Sequence, residues 1–165
     1  MEKPKIIKNN IFYDERGSFS PLSFDVENKQ WIQSNISVNP KNFTLRGLHF
    51  QKNNKEQAKL IKVIKGKILD FVLDIRQYSG YKNVITFFEM NEGDEVFVPR
   101  GFAHGFITLE ENTVVQYLVD NDYSPLNEGI IPWTNYPEIK EKISLLCETF
   151  DESKITISDK DLIEK

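Results

Sequence analysis

LIKVIKGKILDFVLDI, residues 60–75, is the stretch that decides the fold. Val, Ile, Leu and Phe fill both halves and Gly66 parts them, which reads as two short strands joined by a tight turn. The same grammar continues outward through VITFFEM (84–90), DEVFVP (94–99), HGFITL (104–109) and TVVQYLV (113–119). Gly80, Asn83, Gly93, Gly101 and Asn112 fall between these runs. Short strands with regular turn signals predict an all-β antiparallel sandwich or barrel, for which jelly-roll topology is a natural solution. One helix is expected near the C-terminus, where Ile139, Ile143, Leu146 and Phe150 recur at steps of four, three and four after Pro137. Its expected place is over the barrel or against a partner subunit. There is no linker and no internal repeat, so residues 1–165 read as a single domain.

Composition narrows the function classes. The 165 residues are 39% hydrophobic and 12% aromatic, with 12 Phe, enough for a sizeable core. A net charge of −4 leaves no basic face for nucleic acid, although a local Lys/Arg cluster for a phosphate stays open. Cys147 is the single cysteine, which excludes an internal disulfide framework and a Cys-rich zinc site. The expected location is the cytoplasm. MEKPKIIKNN at the N-terminus has no apolar leader core, and no apolar run is long enough to span a bilayer as a helix, so no membrane association is expected.

Only two histidines occur, His49 in TLRGLHFQ and His104 in VPRGFAHGF. Imidazole is the natural proton acceptor near neutral pH, so both are proton-transfer candidates. Two histidines in separate motifs do not make a His-rich metal site, and no metal is expected. No GxGxxG fingerprint is present, and no nicotinamide or other cofactor is expected. Gln33, Asn35, Arg46 and His49 lie close together in QSNISVNPKNFTLRGLHFQ. Arg46 can offer a forked cation to a phosphate, or form a surface ion pair. Lys59 is as easily a solvated lysine as a functional one, and Tyr117 as easily a core aromatic with a tethered hydroxyl.

The ordered strings DERGSF (14–19), TLRGLHFQ (44–51), QAKLIKVIKG (57–66), LDFVLDIR (69–76), VPRGFAHGF (98–106) and DYSPLNEG (122–129), with SDKD (158–161), resemble the dTDP-4-dehydrorhamnose 3,5-epimerase family. These are cupin-type sugar-nucleotide epimerases. The resemblance implies a cupin-like jelly-roll barrel that inverts C3 and/or C5 of an NDP-4-keto-6-deoxy sugar, through an enolate and without a cofactor. It places such an enzyme in nucleotide-sugar biosynthesis for surface polysaccharide such as capsule or lipopolysaccharide.

By the same resemblance, His49 is the base, and Asp161 in SDKD is the carboxylate behind it. Lys59 stabilises the enolate oxygen, and Tyr117 donates a proton on the opposite sugar face. Arg16, Gln33 and Arg46 match diphosphate positions, with Asn35 beside them, and Tyr123 matches an aromatic of the nucleotide site. His104 belongs to the active-site region, with Asp70 placed to support it. The family forms homodimers by exchanging an N-terminal strand, a part that IIKNNIFY (6–13) and GSFSPLSF (17–24) can fill; Arg16 then reaches the partner's site.

Pro21 stands where the family has a base-contacting Glu, and residues 134–157 carry a helix in place of the family's short strand. A GDP-linked 4-keto-6-deoxy-heptose therefore stays open beside the dTDP-hexose. Two other functions stay open as well: a 3,4-ketoisomerase using the same enediol chemistry, and a noncatalytic sugar-nucleotide-binding cupin.

Overall fold

Turn-forming residues end each apolar run in the computed structural model, which describes residues 2–165. In chain order the strands are β1 (Lys5–Ile7), β2 (Phe12–Asp14), β3 (Gly17–Phe19), β4 (Gln33–Asn39), β5 (Leu45–Gln51), β6 (Lys59–Lys65), β7 (Lys67–Asp74), β8 (Ile85–Asn91), β9 (Glu95–Val98), β10 (Phe102–Thr108), β11 (Thr113–Val119) and β12 (Glu128–Ile130). One five-stranded sheet has the order β1-β9-β6-β11-β4, and a second has the order β12-β5-β10-β7-β8. Every strand pairing in them is antiparallel. The two sheets face each other as the expected jelly roll. β2 and β3 form a separate hairpin that, among the described residues, pairs only with itself.

Alternation along β7 explains why the strand is buried on both sides. Ile68 and Val72 point between the sheets, where they meet Ile61, Val63, Val96, Phe106 and Val115. Leu69, Phe71 and Leu73 point the other way, into a layer closed by the C-terminal segment. That places Asp70 on the inner face between Ile68 and Val72, fully buried, where a carboxylate needs a partner. A third apolar layer lies outside the first sheet, where Val26 and Trp31 cover Leu60, Phe97 and Leu118.

Helix α1 runs Pro137–Leu146, with Pro137 in its first turn. Ile139 and Ile143 are fully buried against the outer face of the second sheet, so the helix covers the barrel as expected. The predicted periodicity overran its end. Cys147 leaves helical conformation at φ −140°, and Phe150 packs edge-on against Phe43 from the chain beyond the helix, with ring centroids 5.3 Å apart. Phe150 thus belongs to the core through tertiary packing and not through the helical repeat.

Truncating Ile143 to Ala removes buried methyl groups from a filled layer, and urea unfolding is expected to show a loss of about 2–4 kcal/mol. Leu145→Ala on the exposed side of α1 should stay within about 0.5 kcal/mol. Equal losses would show that the helix does not bury the face described.

Candidate active site

Two glycines make the site possible. A Cβ on Gly47, which holds φ +113°, would lie 2.6 Å from Gly105 Cα and 2.6 Å from the His104 carbonyl oxygen. A Cβ on Gly105 would lie 2.8 Å from the Arg46 carbonyl oxygen. The bare backbones let β5 and β10 approach closely, and the register shifts by one residue between the His104–His49 and Phe106–Arg46 pairs. β5 carries the extra residue, a bulge that re-aims the side chains. Arg46 and His49 are three apart and would face opposite sides of a regular strand, yet both line the inner cavity.

That cavity, about 410 Å³, lies between the two sheets. The second sheet contributes Arg46 and His49 from β5 and His104 from β10. The first contributes Lys59 from β6 and Tyr117 from β11. His49 and His104 sit directly opposite each other across the strand pair. Each histidine is backed by a carboxylate. His49 Nε2 lies 2.8 Å from Asp161 Oδ1, while the other carboxylate oxygen accepts the Gly47 N–H at 3.1 Å. His104 Nε2 lies 2.6 Å from Asp70 Oδ2, and Asp70 Oδ1 is buried with no partner among the described residues.

The electrostatics separate the groups further. Burial alone would raise the Asp161 pKa, but the His49 hydrogen bond and charge, the Gly47 N–H and Lys160 outweigh it and hold the carboxyl below its ordinary value. Lys59 is deeply set, and burial pulls its ammonium down to about 8, although Asp70 and Glu128 oppose the shift. Its Nζ donates to the His49 carbonyl oxygen at 3.3 Å. Burial pushes the Tyr117 phenol up, partly countered by Arg46. The Arg46 Nε donates to Asn39 Oδ1 at 2.9 Å, which fixes the guanidinium at the cavity wall. Among the described residues no three His, Cys, Asp or Glu side chains group as a metal site.

The cavity gathers His49, Lys59, Tyr117, Arg46, His104 and Tyr123, with Asp161 and Asp70 behind the histidines. Gln33 and Asn35 are not on its wall. They bond to each other at 2.7 Å on the edge strand β4, whose neighbouring residues Ile36, Ser37 and Val38 take the lining positions. Arg16 lies outside the cavity. It sits on the turn of the β2–β3 hairpin, exposed and ion-paired with Asp14, because that hairpin projects from the sheets.

Three cavity residues carried no local sign in the sequence: Gln57, Glu128 and Lys160. Gln57 donates to the Asn121 carbonyl at 2.8 Å, and Gln51 accepts from the Ser124 N–H at 3.0 Å. Together they pin the loop that holds Tyr123 at the cavity. Glu128 pairs with Lys165 at 3.2 Å and faces Tyr123, whose phenol is pushed up by burial and by that carboxylate. Their motifs, QAKL, DYSPLNEG and SDKD, were the available signal.

A jelly-roll barrel with carboxylate-backed imidazoles on one wall and a phenol and an ammonium on the other has the make-up of a proton-transferring sugar-nucleotide enzyme. The profile of the dTDP-4-dehydrorhamnose 3,5-epimerase family matches residues 1–165. The enzyme of that name from Salmonella typhimurium is 36% identical over 144 residues, covering 79% of this chain and 75% of its own. The Bacillus anthracis dTDP-4-dehydrorhamnose 3,5-epimerase crystal structure, with TDP and pyrophosphate bound, superposes with a TM-score of 0.80 at 32% identity, covering 98% of this chain and 93% of that one. The Legionella pneumophila epimerase in complex with dTDP-4-keto-L-rhamnose gives 0.78 at 28% identity over 96% of this chain and 84% of its own. The chain belongs to the dTDP-4-dehydrorhamnose 3,5-epimerase family, and it is a cupin-fold carbohydrate epimerase.

The burial of Lys59 can be checked directly. In an NMR titration of the lysine side chains, one ammonium should titrate near pH 8 and vanish in Lys59→Met. A Lys59 midpoint at the ordinary lysine value would contradict the buried setting.

Proposed function

We propose that this enzyme inverts both C3 and C5 of a dTDP-linked 4-keto-6-deoxyhexose, with His49 as the base. The observation that carries the reading is the opposition across one cavity of His49 on the second sheet, backed by Asp161 of the C-terminal segment, and Tyr117 on the first. A sugar held between the sheets meets a proton acceptor on one face and a phenol on the other. Inversion requires that arrangement, because removing and returning a proton on one face regenerates the substrate. Removal of the proton beside the C4 ketone moves its electron pair into the carbonyl, and the oxygen acquires the charge. The Lys59 ammonium stabilises that enolate oxygen. The enolate then takes a proton from Tyr117 on the opposite face, and Asp161 holds the imidazole of His49 in orientation while it carries the abstracted proton. His49 then releases its proton to solvent and the Tyr117 phenolate takes one back, and repetition at the second carbon completes the double inversion.

Arg46 and Tyr123 bind the diphosphate and the nucleoside in this reading, and His104 with Asp70 shapes the sugar pocket. The dTDP assignment draws on the relatives, which are named for a dTDP sugar, and on the TDP held by the Bacillus anthracis protein. A homodimer supplies the groups that one chain leaves outside its cavity. Phe12, Tyr13 and Phe19 on the hairpin are 58%, 71% and 69% exposed, too much apolar surface for a hairpin with no neighbour. A second copy covers it and receives Arg16 beside its nucleotide, with Gln33 and Asn35 facing the same junction. The enzyme works in the cytoplasm, on sugar nucleotides destined for surface polysaccharide.

Incubation with dTDP- and GDP-linked 4-keto-6-deoxy sugars in deuterium oxide, followed by NMR, tests the reading. Deuterium is expected at C3 and C5 of the dTDP sugar with the ketone still at C4. A carbonyl moved to C3, or no exchange with any substrate, sinks it. His49→Ala should lower exchange at least about a thousandfold, and Tyr117→Phe should impair inversion far more than the first proton removal. Near-normal inversion by Tyr117→Phe would refute its role. Since Lys59 acts as the cation and its pKa is lowered to about 8, kcat/KM should fall roughly tenfold per unit above that pH.

A further inference from the structure

A second buried charge cluster lies far from any use in the chemistry. Lys62 and Glu95 pair at 3.3 Å on the outer face of the first sheet, with side chains only 4% and 0% exposed. Neither lines the cavity. Two ions out of water gain little over a matched apolar pair, so their retention calls for a task that apolar side chains cannot perform.

Their remaining partners show the task. The Lys62 ammonium donates to Ser20 Oγ at 2.9 Å and to the Pro21 carbonyl. The Glu95 carboxylate accepts the Ser23 N–H at 3.2 Å from either oxygen. All three acceptors and donors belong to the chain leaving β3. The chain entering β2 is held at the neighbouring turn, where Lys8 pairs with Asp94 at 2.5 Å and Asn9 donates to the Gly93 carbonyl at 3.3 Å. Ile11 rests on Gly93, where an added Cβ would lie 2.7 Å from its Cγ1. Both roots of the hairpin are therefore gripped at one place, the start of β9 and its neighbour on β6. The hairpin itself stands free, with its aromatic side chains exposed.

We propose that the buried Lys62–Glu95 pair positions the β2–β3 arm, fixing the direction in which it leaves the barrel and so the reach of Arg16. Directional hydrogen bonds to Ser20, Pro21 and Ser23 lock an exit angle, whereas apolar contact alone would leave the strap free to slide. Lys62 and Glu95 are positioning residues that never touch substrate. Their effect on the nucleotide rests on the dimeric reading given above, in which the arm reaches a second copy.

Lys62→Met/Glu95→Leu replaces both charges together, so that neither is left buried alone. Ser20→Ala removes one acceptor and leaves the pair intact. In the double variant, KM for the sugar nucleotide is expected to rise about tenfold with kcat within about twofold, and adding Arg16→Ala should raise KM no further than Arg16→Ala alone. Backbone hydrogen exchange over residues 12–23 should speed up while β5 and β10 keep wild-type protection. Ser20→Ala should shift KM and exchange in the same direction by less. Wild-type exchange over 12–23 in the double variant, or a KM effect that multiplies with that of Arg16→Ala, overturns the proposal. If the wild-type protein turns over no 4-keto sugar nucleotide, the functional reading fails, and hydrogen exchange alone decides the clamp.

Discussion

Close approach of two strand backbones at Gly47 and Gly105 is the constraint on which the site depends. A side chain at either position would push β5 from β10, separate the facing histidines and remove the bulge. The bulge then sets Arg46 and His49 on one side of the strand. It also presents the Gly47 N–H to Asp161, so the backbone distortion and the carboxylate behind His49 share a hydrogen bond. The glycine φ, the strand register and the His49–Asp161 pair are one device.

The packed layers account for the electrostatic tuning. Apolar residues such as Ile61, Phe106 and Val115 surround the polar groups of the inner faces, and burial acts on each of those groups differently. Asp161 and Asp70 are paired with imidazoles; Tyr117 is pushed up, and Lys59 is pulled down. A chemistry that abstracts a proton, stabilises an oxyanion and returns a proton uses groups with separated proton affinities, and one low-dielectric cavity provides them.

The fold and the residues of the candidate site were legible in the sequence to different depths. Strand content was plain because Val, Ile and Phe runs end at Gly or Asn, and α1 was plain because Ile139 and Ile143 must share a face. Phe150 was misread, since a residue beyond a helix can continue its spacing by chance and reach the same core by another path. His49, Lys59, Tyr117 and Asp161 were found through motif resemblance and not through local pattern. A lysine in a lysine-rich chain and a tyrosine on a strand carry no functional mark of their own. Gln57, Glu128 and Lys160 went unmarked for the same reason, and Arg16 lies outside the cavity, on the exposed hairpin.

The sequence by itself determined the antiparallel β architecture, the covering helix and the family, because these depend on side-chain type and order along the chain. Tertiary structure decided which residues share the cavity. His49 and Asp161 are 112 positions apart, and only the run of the C-terminal segment past β5 joins them. Arg46 and His49 share a face only through a bulge whose cause lies on β10. Lys62 and Glu95 became a clamp only when their strands paired beneath residues 20–23. Local propensity fixes which elements form, whereas distances between side chains far apart in sequence depend on strand register, which packing of the apolar face and turn geometry set together.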